Sequence, residues 1–270
     1  MKKLVSILSF VALWSYAVSS AQLLAPNEVG VTMGHLDTIV RDVEVTKKFW
    51  ILLGGTPIKV RGMDVMKFPG VFVFLRKGEP SGGSIGTTVD HPGFHVPNGD
   101  EFLAKMKAAG VKVEPNPRRS GLGYLYTPDD LRVEILGNEV LDDKITIPIV
   151  SQHIHFSLPP SAVTEAQAWY GKMFGAVATV GPQNSAAADL PGARLYFGKS
   201  PNPPLPTEGR SLDHIGFEVE NLEAFCKQLE ASGVKFDKPY SKSGQADYAS
   251  AELTDPWGTR IELTDGLDRL

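Results

Sequence analysis

Two stretches of the chain are the same sentence written twice. Residues 89–113, VDHPGFHVPNGDEFLAKMKAAGVKV, and residues 212–236, LDHIGFEVENLEAFCKQLEASGVKF, align without a gap, sharing Asp-His, Gly-Phe, a Val, an Asn and a closing Gly-Val-Lys. Such a repeat means that the chain is built from copies of one supersecondary unit. Each copy reads as a strand followed by a helix. In the second copy His214, Gly216 and Glu218 fall on one strand face and Ile215, Phe217 and Val219 on the other, the period-two pattern of a strand with two unlike sides. Asn221 stands where an N-cap is expected, Leu222, Phe225, Cys226 and Leu229 form an apolar helical stripe, and Gly233 is placed to end the helix. The apolar strand face should meet that helix, so the face that carries the histidine must look elsewhere.

Two further stretches fit the unit more loosely, GHLDTIVRDVEVTKKFWILLGG (34–55) and QHIHFSLPPSAVTEAQAWYGKMFG (152–175). Each opens a strand on His, passes through a polar or Pro-containing turn, carries an aromatic pair (Phe49-Trp50, Trp169-Tyr170) suited to packing a helix on a sheet, and closes on Gly. Short strand-like runs broken by Gly, Pro, Asn and Asp follow every helix. The chain thus reads as four units of one helix and several strands. The charged segment GNEVLDDK (137–144) divides them into two consecutive pairs. The domains expected are 31–138 and 148–266, joined by a linker at 139–147.

At 270 residues, 42 % hydrophobic, the chain is long enough for two compact domains. A net charge of −4 gives no electrostatic case for nucleic acid or an anionic membrane. The first residues, MKKLVSILSFVALWSYAVSSAQ, combine a Lys pair, a short apolar run and small residues at Ser19 and Ala21. This pattern predicts a secretory signal peptide over 1–21, with an uncleaved anchor as the alternative, and hence a periplasmic or extracellular protein without stable membrane association after cleavage. Cys226 is the single cysteine, so no internal disulfide forms and the fold must rest on its apolar core. At helical spacing with Phe225 and Leu229 it reads as a packing residue.

With the His strands, the helical stripes and the four-unit count in place, the chain resembles the vicinal oxygen chelate superfamily, which includes glyoxalase I, bleomycin-resistance proteins, methylmalonyl-CoA epimerase and extradiol dioxygenases. The resemblance runs over residues 31–266. It implies an α+β fold of four βαβββ modules forming two paired-module, open cup-shaped barrels whose interiors hold metal and substrate. It also implies that ligands come from the first strand of each module in a pair and the last strand of the second. Carried onto this chain, the C-terminal pair offers His153, His214 and Glu262, and the N-terminal pair His35, His91 and Glu134. Each set is two imidazoles and one carboxylate, suited to Fe2+ or Mn2+ first and to Zn2+ or Ni2+ as alternatives, with coordination positions left open.

The resemblance departs at one position. Glyoxalase I and the epimerase add a fourth ligand, Glu or Gln, from the last strand of the first module, but here those strands read GVFVFLR (70–76) and ARLYFGK (193–199). Three-ligand sites belong to the extradiol dioxygenases, which also carry a Tyr ten residues before the Glu and a further His as acid-base catalyst. Tyr124 stands ten residues before Glu134, whereas the same count before Glu262 lands on Glu252, with Tyr248 further out. His155 and His95 lie on the histidine-bearing phase of their strands and are spare imidazoles for acid-base work. Asp37 holds the matching place after His35. Arg132 and Arg260, two residues before each Glu, are expected to face the same interior, in a salt bridge or clamping an anion.

The expectation is an exported, divalent-metal-dependent enzyme acting on a small molecule with adjacent oxygens, dioxygenase-like before glyoxalase- or epimerase-like. The alternative is a binding protein of the bleomycin-resistance kind that sequesters its ligand without turnover. A homodimer is compatible with either.

Overall fold

The computed structural model describes residues 23–244 and 248–269; the leader expected at 1–21 lies outside the described residues. Each of the four units runs strand, helix, then three strands. The first holds β1 (Val31–Val40), α1 (Val43–Leu53), β2 (Thr56–Val60), β3 (Met63–Phe68) and β4 (Val71–Lys77). The second holds β5 (Val89–Val96), α2 (Gly99–Ala108), β6 (Lys112–Pro115), β7 (Leu122–Tyr126) and β8 (Arg132–Gly137). In the third are β9 (Val150–Leu158), α3 (Val163–Phe174), β10 (Val177–Val180), β11 (Ala186–Leu190) and β12 (Ala193–Lys199). The fourth consists of β13 (Leu212–Val219), α4 (Leu222–Ala231), β14 (Lys238–Lys242), β15 (Ala249–Thr254) and β16 (Arg260–Asp265).

The local signals place the helices as expected, with one correction at a cap. The Asp42 side chain accepts from the backbone N–H of Glu44 and Val45, and that of Asn98 from Glu101, so α1 and α2 start on side-chain caps. Asn221 does not cap α4: it takes a left-handed conformation (φ 53°, ψ 57°) and makes no capping bond. The Asp265 carboxylate, brought from the end of β16, accepts from the Leu222 N–H instead at 3.4 Å. Leu222, Phe225, Cys226 and Leu229 are all buried, and burial pushes the Cys226 thiol up to about 11, consistent with a packing role.

The strands form two open eight-stranded mixed sheets. One runs β14-β15-β16-β13-β1-β4-β3-β2 and the other β10-β11-β12-β9-β5-β8-β7-β6. Modules 1 and 2 therefore do not share a sheet, and neither do modules 3 and 4, contrary to the pairing expected from the sequence. Modules 1 and 4 build one cup, the outer by chain order, and modules 2 and 3 build the other, the inner. The connections carry the physical reason. The segment around 138–149 leads from β8 to β9 within one sheet, tied down where Asn138 exchanges two hydrogen bonds of 3.0 Å with the Ile145 backbone. The segments between β4 and β5 and between β12 and β13 make the crossings from sheet to sheet. They zip to each other through Ser81 N–H to Gly209 O (2.8 Å), Ser211 N–H to Gly82 O (2.9 Å), Leu205 N–H to Gly86 O (2.9 Å) and Thr88 N–H to Leu205 O (2.9 Å).

Modules 1 and 2, and modules 3 and 4, still meet, through helices rather than paired strands. Trp50 of α1 packs against Phe94 of β5 with ring centroids 6.1 Å apart, and Phe174 of α3 against Phe217 of β13 at 4.8 Å. The buried Tyr170 hydroxyl donates to Asp255 at 2.9 Å. Fully burying such an aromatic stabilises by roughly 1.5–3 kcal/mol, so the helices join the two cups while the sheets leave each interior facing away.

Candidate metal centres and substrate cup

In both cups the two first strands run antiparallel and set one histidine against one glycine. His153 pairs with Gly93 across β9 and β5, and His35 with Gly216 across β1 and β13. A Cβ at either glycine would overlap the facing imidazole ring. This explains the Gly of the repeated Asp-His-x-Gly-Phe: it makes room for the ligand of the partner module. The Asp of the motif has its own task. Asp90 lies 2.5 Å from His91 Nδ1, and Asp213 lies 2.7 Å from His214 Nδ1. A carboxylate on Nδ1 fixes the tautomer and leaves Nε2 to face the cup.

The last strands close each set. In the inner cup Glu134 Oε2 lies 3.1 Å from His153 Nε2 and 3.4 Å from His91 Nε2. In the outer cup Glu262 Oε2 lies 3.0 Å from His35 Nε2 and 3.3 Å from His214 Nε2. All six expected ligands thus converge, but as His91, His153, Glu134 and His35, His214, Glu262. The expected sets, His153 with His214 and Glu262, and His35 with His91 and Glu134, are not those the strand order makes.

Both sets fit a divalent ion by donor chemistry. In the inner cup His91 Nε2 and His153 Nε2 are buried without a hydrogen-bond partner although both point at one carboxylate oxygen. Donors that converge without bonding are the pattern of an ion's coordination sphere. Among the described residues, donor atoms of His35, His214 and Glu262 lie within 4.8 Å of one another, and so do those of His91, His153 and His155. A third such group, Asp37, Asp213 and His214, is bridged by Arg76, whose guanidinium is 2.9 Å from each carboxylate. That cation already neutralises it.

The surroundings of the two sets differ. In the inner cup Tyr124 sits directly opposite Glu134 across β7 and β8, with the Arg132 guanidinium 4.5 Å from its ring centre. Burial, and then the Glu134 charge, push its phenol well above the usual range. His155 stacks on His91 at 4.6 Å and 27°. Burial, and the neighbouring His91 and His153, pull the His155 pKa down to about 3, so it is a neutral imidazole at neutral pH. Burial would raise Glu134, but His153 and His91 outweigh it and hold the carboxyl well below its ordinary value. A cavity of about 310 Å³ opens onto this group, lined by Glu134, Tyr124, His155 and Tyr196 among others.

The outer cup is tied up in ion pairs. Burial disfavours charge on His214, yet Asp37, Asp213 and Glu262 raise its pKa to about 10. Asp213 also takes Arg260 at 2.8 Å, and Arg260 in turn pairs with Glu252 at 3.1 Å, which holds Lys238 at 2.7 Å. The interior is covered as well. Phe72, Phe74, Val60, Val65 and Tyr248 form an apolar cluster into which Leu23, ahead of β1, and Leu267, after β16, are packed. A second cavity of about 650 Å³ lies towards Glu218 and Tyr240, and its lining includes none of His35, His214 or Glu262.

Three sequence readings shift in detail. Arg132 and Arg260 do form salt bridges, but with Asp90 and with Asp213 and Glu252, not with the glutamates two residues on. His95 lies outside the ligand group; its Nε2 meets Asn138 Oδ1 at 2.7 Å, below the segment that joins β8 to β9. Tyr196 was not singled out by sequence, yet its ring lies 5.1 Å from that of His153. Its signal was the missing fourth ligand, since Tyr196 and Phe74 stand on the strands where that ligand was sought.

A model of the Glyoxalase/Bleomycin resistance protein/Dioxygenase superfamily matches residues 152–263. No curated protein matches the chain. Among solved structures, glyoxalase I from Zea mays has the same fold at a TM-score of 0.66 and 17% identity, covering 88% of this chain and 94% of that one. A point mutant of the same maize enzyme gives a TM-score of 0.68 at 14% identity, covering 89% and 95%. A candidate dioxygenase from Bacillus subtilis follows at a TM-score of 0.64 and 15% identity, covering 87% and 85%.

Proposed function

We propose, from the match of a Glyoxalase/Bleomycin resistance protein/Dioxygenase superfamily model to residues 152–263, that this chain is a member of that superfamily and a divalent-metal-dependent enzyme whose reaction takes place in the inner cup. One observation carries the reading: His91 and His153 converge on Glu134, and Glu134 lines a cavity together with Tyr124 and His155. The substrate is a small molecule with two adjacent oxygens, and the reaction class favoured is dioxygenase-like cleavage beside them. Fe2+ or Mn2+ suits the ligand set best, with Zn2+ or Ni2+ as alternatives. Such an ion, when bound, supplies Lewis acidity towards the paired oxygens.

The chain's own residues supply the rest. Asp90 and Gln152 orient the two imidazoles through their Nδ1 atoms. Tyr124, kept protonated, donates a hydrogen bond to a substrate oxygen. His155 is neutral, and an anionic substrate beside it raises its pKa, so it can take a substrate hydroxyl proton and return it to the product. The apolar part of the wall keeps water from this exchange. His95 serves the fold through Asn138. Both cups are complete within one chain, so no second copy is needed for either. The residues 1–21 support export as an extension of the proposal.

The test is purification without oxygen, metal analysis, and assay against catechols with O2 and against dicarbonyl adducts without it. Near-stoichiometric metal and O2-dependent ring opening are expected, reduced about 100-fold or more in His155→Phe. Turnover of a dicarbonyl adduct without O2 would replace the dioxygenase class by a lyase or isomerase. Failure to bind iron, manganese, zinc or nickel at neutral pH would leave a sequestering protein as the better account.

A further inference from the structure

We infer that Arg119 selects substrates that carry an anionic group remote from the reacting oxygens, an inference that rests on the inner cup being the substrate site. The cavity above Glu134, Tyr124 and His155 has an apolar wall of Leu122, Leu136, Val140, Leu141 and Pro182, with Gln183 and Ser185 also lining it. Arg119 is the cation in that wall. It sits on the turn between β6 and β7, where Asn116 Oδ1 accepts from the backbone N–H of Arg118 at 2.9 Å and of Arg119 at 3.1 Å. This turn fixes the backbone and leaves the side chain exposed. Among the described residues its guanidinium makes one long hydrogen bond, 3.5 Å to the Val140 carbonyl, and no ion pair.

The other arginines of the two cups differ from it. Arg132, Arg76 and Arg260 each face a carboxylate from the same chain, so their charge is already balanced. Arg119 keeps its donors for something else, in the wall of a cavity whose one carboxylate, Glu134, faces two imidazoles at 3.4 and 3.1 Å. A guanidinium presents paired donors that match a carboxylate or phosphate oxygen pair. The ligand that satisfies the whole cavity has adjacent oxygens at the floor, a flat or apolar body between the leucines and Pro182, and a carboxylate at the Arg119 end. A neutral catechol would leave that last contact unmade.

Isothermal titration of the metal-loaded full chain with 3,4-dihydroxyphenylacetate, 4-ethylcatechol and phenylacetate tests this. The acid catechol should bind about tenfold more tightly than the neutral one, the size of a partly exposed charged hydrogen-bonded pair. Arg119→Ala should erase that margin and weaken phenylacetate by a similar factor, leaving 4-ethylcatechol within about twofold. Arg119→Lys should restore part of the loss. Equal affinity of the acid and neutral catechols in the unmodified protein, or an equal drop for both in Arg119→Ala, overturns the assignment. His91→Ala separates the two levels of the argument. It should weaken both catechols and spare phenylacetate; indifference of the catechols to it, with phenylacetate still dependent on Arg119, would remove the adjacent-oxygen reading and leave the anion selection standing.

Discussion

The two cups hold the same three ligands on the same strands and differ in almost everything around them. Where the inner cup has His155 beside His91, the outer has Asp37 beside His214. Opposite the glutamate stands Tyr124 in one and Glu252 in the other. On the neighbouring strand Tyr196 is answered by Phe74. Each exchange in the outer cup removes a group that can handle a substrate proton, or adds a charge that another charge must answer. The consequence is a chain of ion pairs from Asp37 through Arg76, Asp213 and Arg260 to Glu252. Leu23 and Leu267 then cover the apolar side. A duplicated frame can thus keep the same side-chain geometry in both copies while their surroundings diverge.

The sharpest way to break this comparison is to remove the carboxylate ligand from each cup in turn. Glu134→Gln should lower kcat/KM by about 100-fold or more, the scale of losing a group that holds the reacting centre. Glu262→Gln should change it only a few-fold, while metal content falls in both variants. Equal losses of turnover would show the cups to be equivalent. A smaller effect is expected from Leu267→Ala, which deletes a side chain 1 % exposed from the outer cup. The cost should be about 2–4 kcal/mol in urea unfolding, with inner-cup turnover unchanged. Appearance of a second, independent turnover in this variant would mean that the outer cup is gated rather than idle.

The smallest effect concerns the ends of the cups, where His95 occupies the register that Glu218 holds in the other. Burial pulls the His95 pKa below its ordinary 6.5. A base depressed in the folded state contributes stability that is present above pH 6.5 and is lost as pH falls through the lowered value. His95→Gln keeps a partner for Asn138 and removes the titration. It should therefore flatten the acid limb of the stability curve below pH 6.5, measured by thermal unfolding at stepped pH. An unchanged acid limb would assign acid sensitivity to other buried groups.

How much of this was legible beforehand follows from what each feature depends on. The strand-helix units and the buried stripe of α4 depend on local periodicity and on a repeated motif, and the repeat displayed them, whereas the six candidate ligands came from the family resemblance. Asp90 and Asp213 act on the very next residue, so the recurring Asp-His already contained that contact. The partnership of the ligands was another matter. His153 faces Gly93, and His35 faces Gly216, because two crossing segments zip together and carry module 2 away from module 1 and module 4 away from module 3. The motif does not name its partner: β5 and β13 carry the same Asp-His-x-Gly-Phe, so its Gly suits the facing His of β1 and of β9 alike. Sequence alone therefore determined the unit and its count, and by resemblance its candidate metal ligands. The tertiary structure decided which units share a cup, because that choice is made by contacts between segments far apart in the chain, and with it which histidine, tyrosine and arginine surround each ligand set.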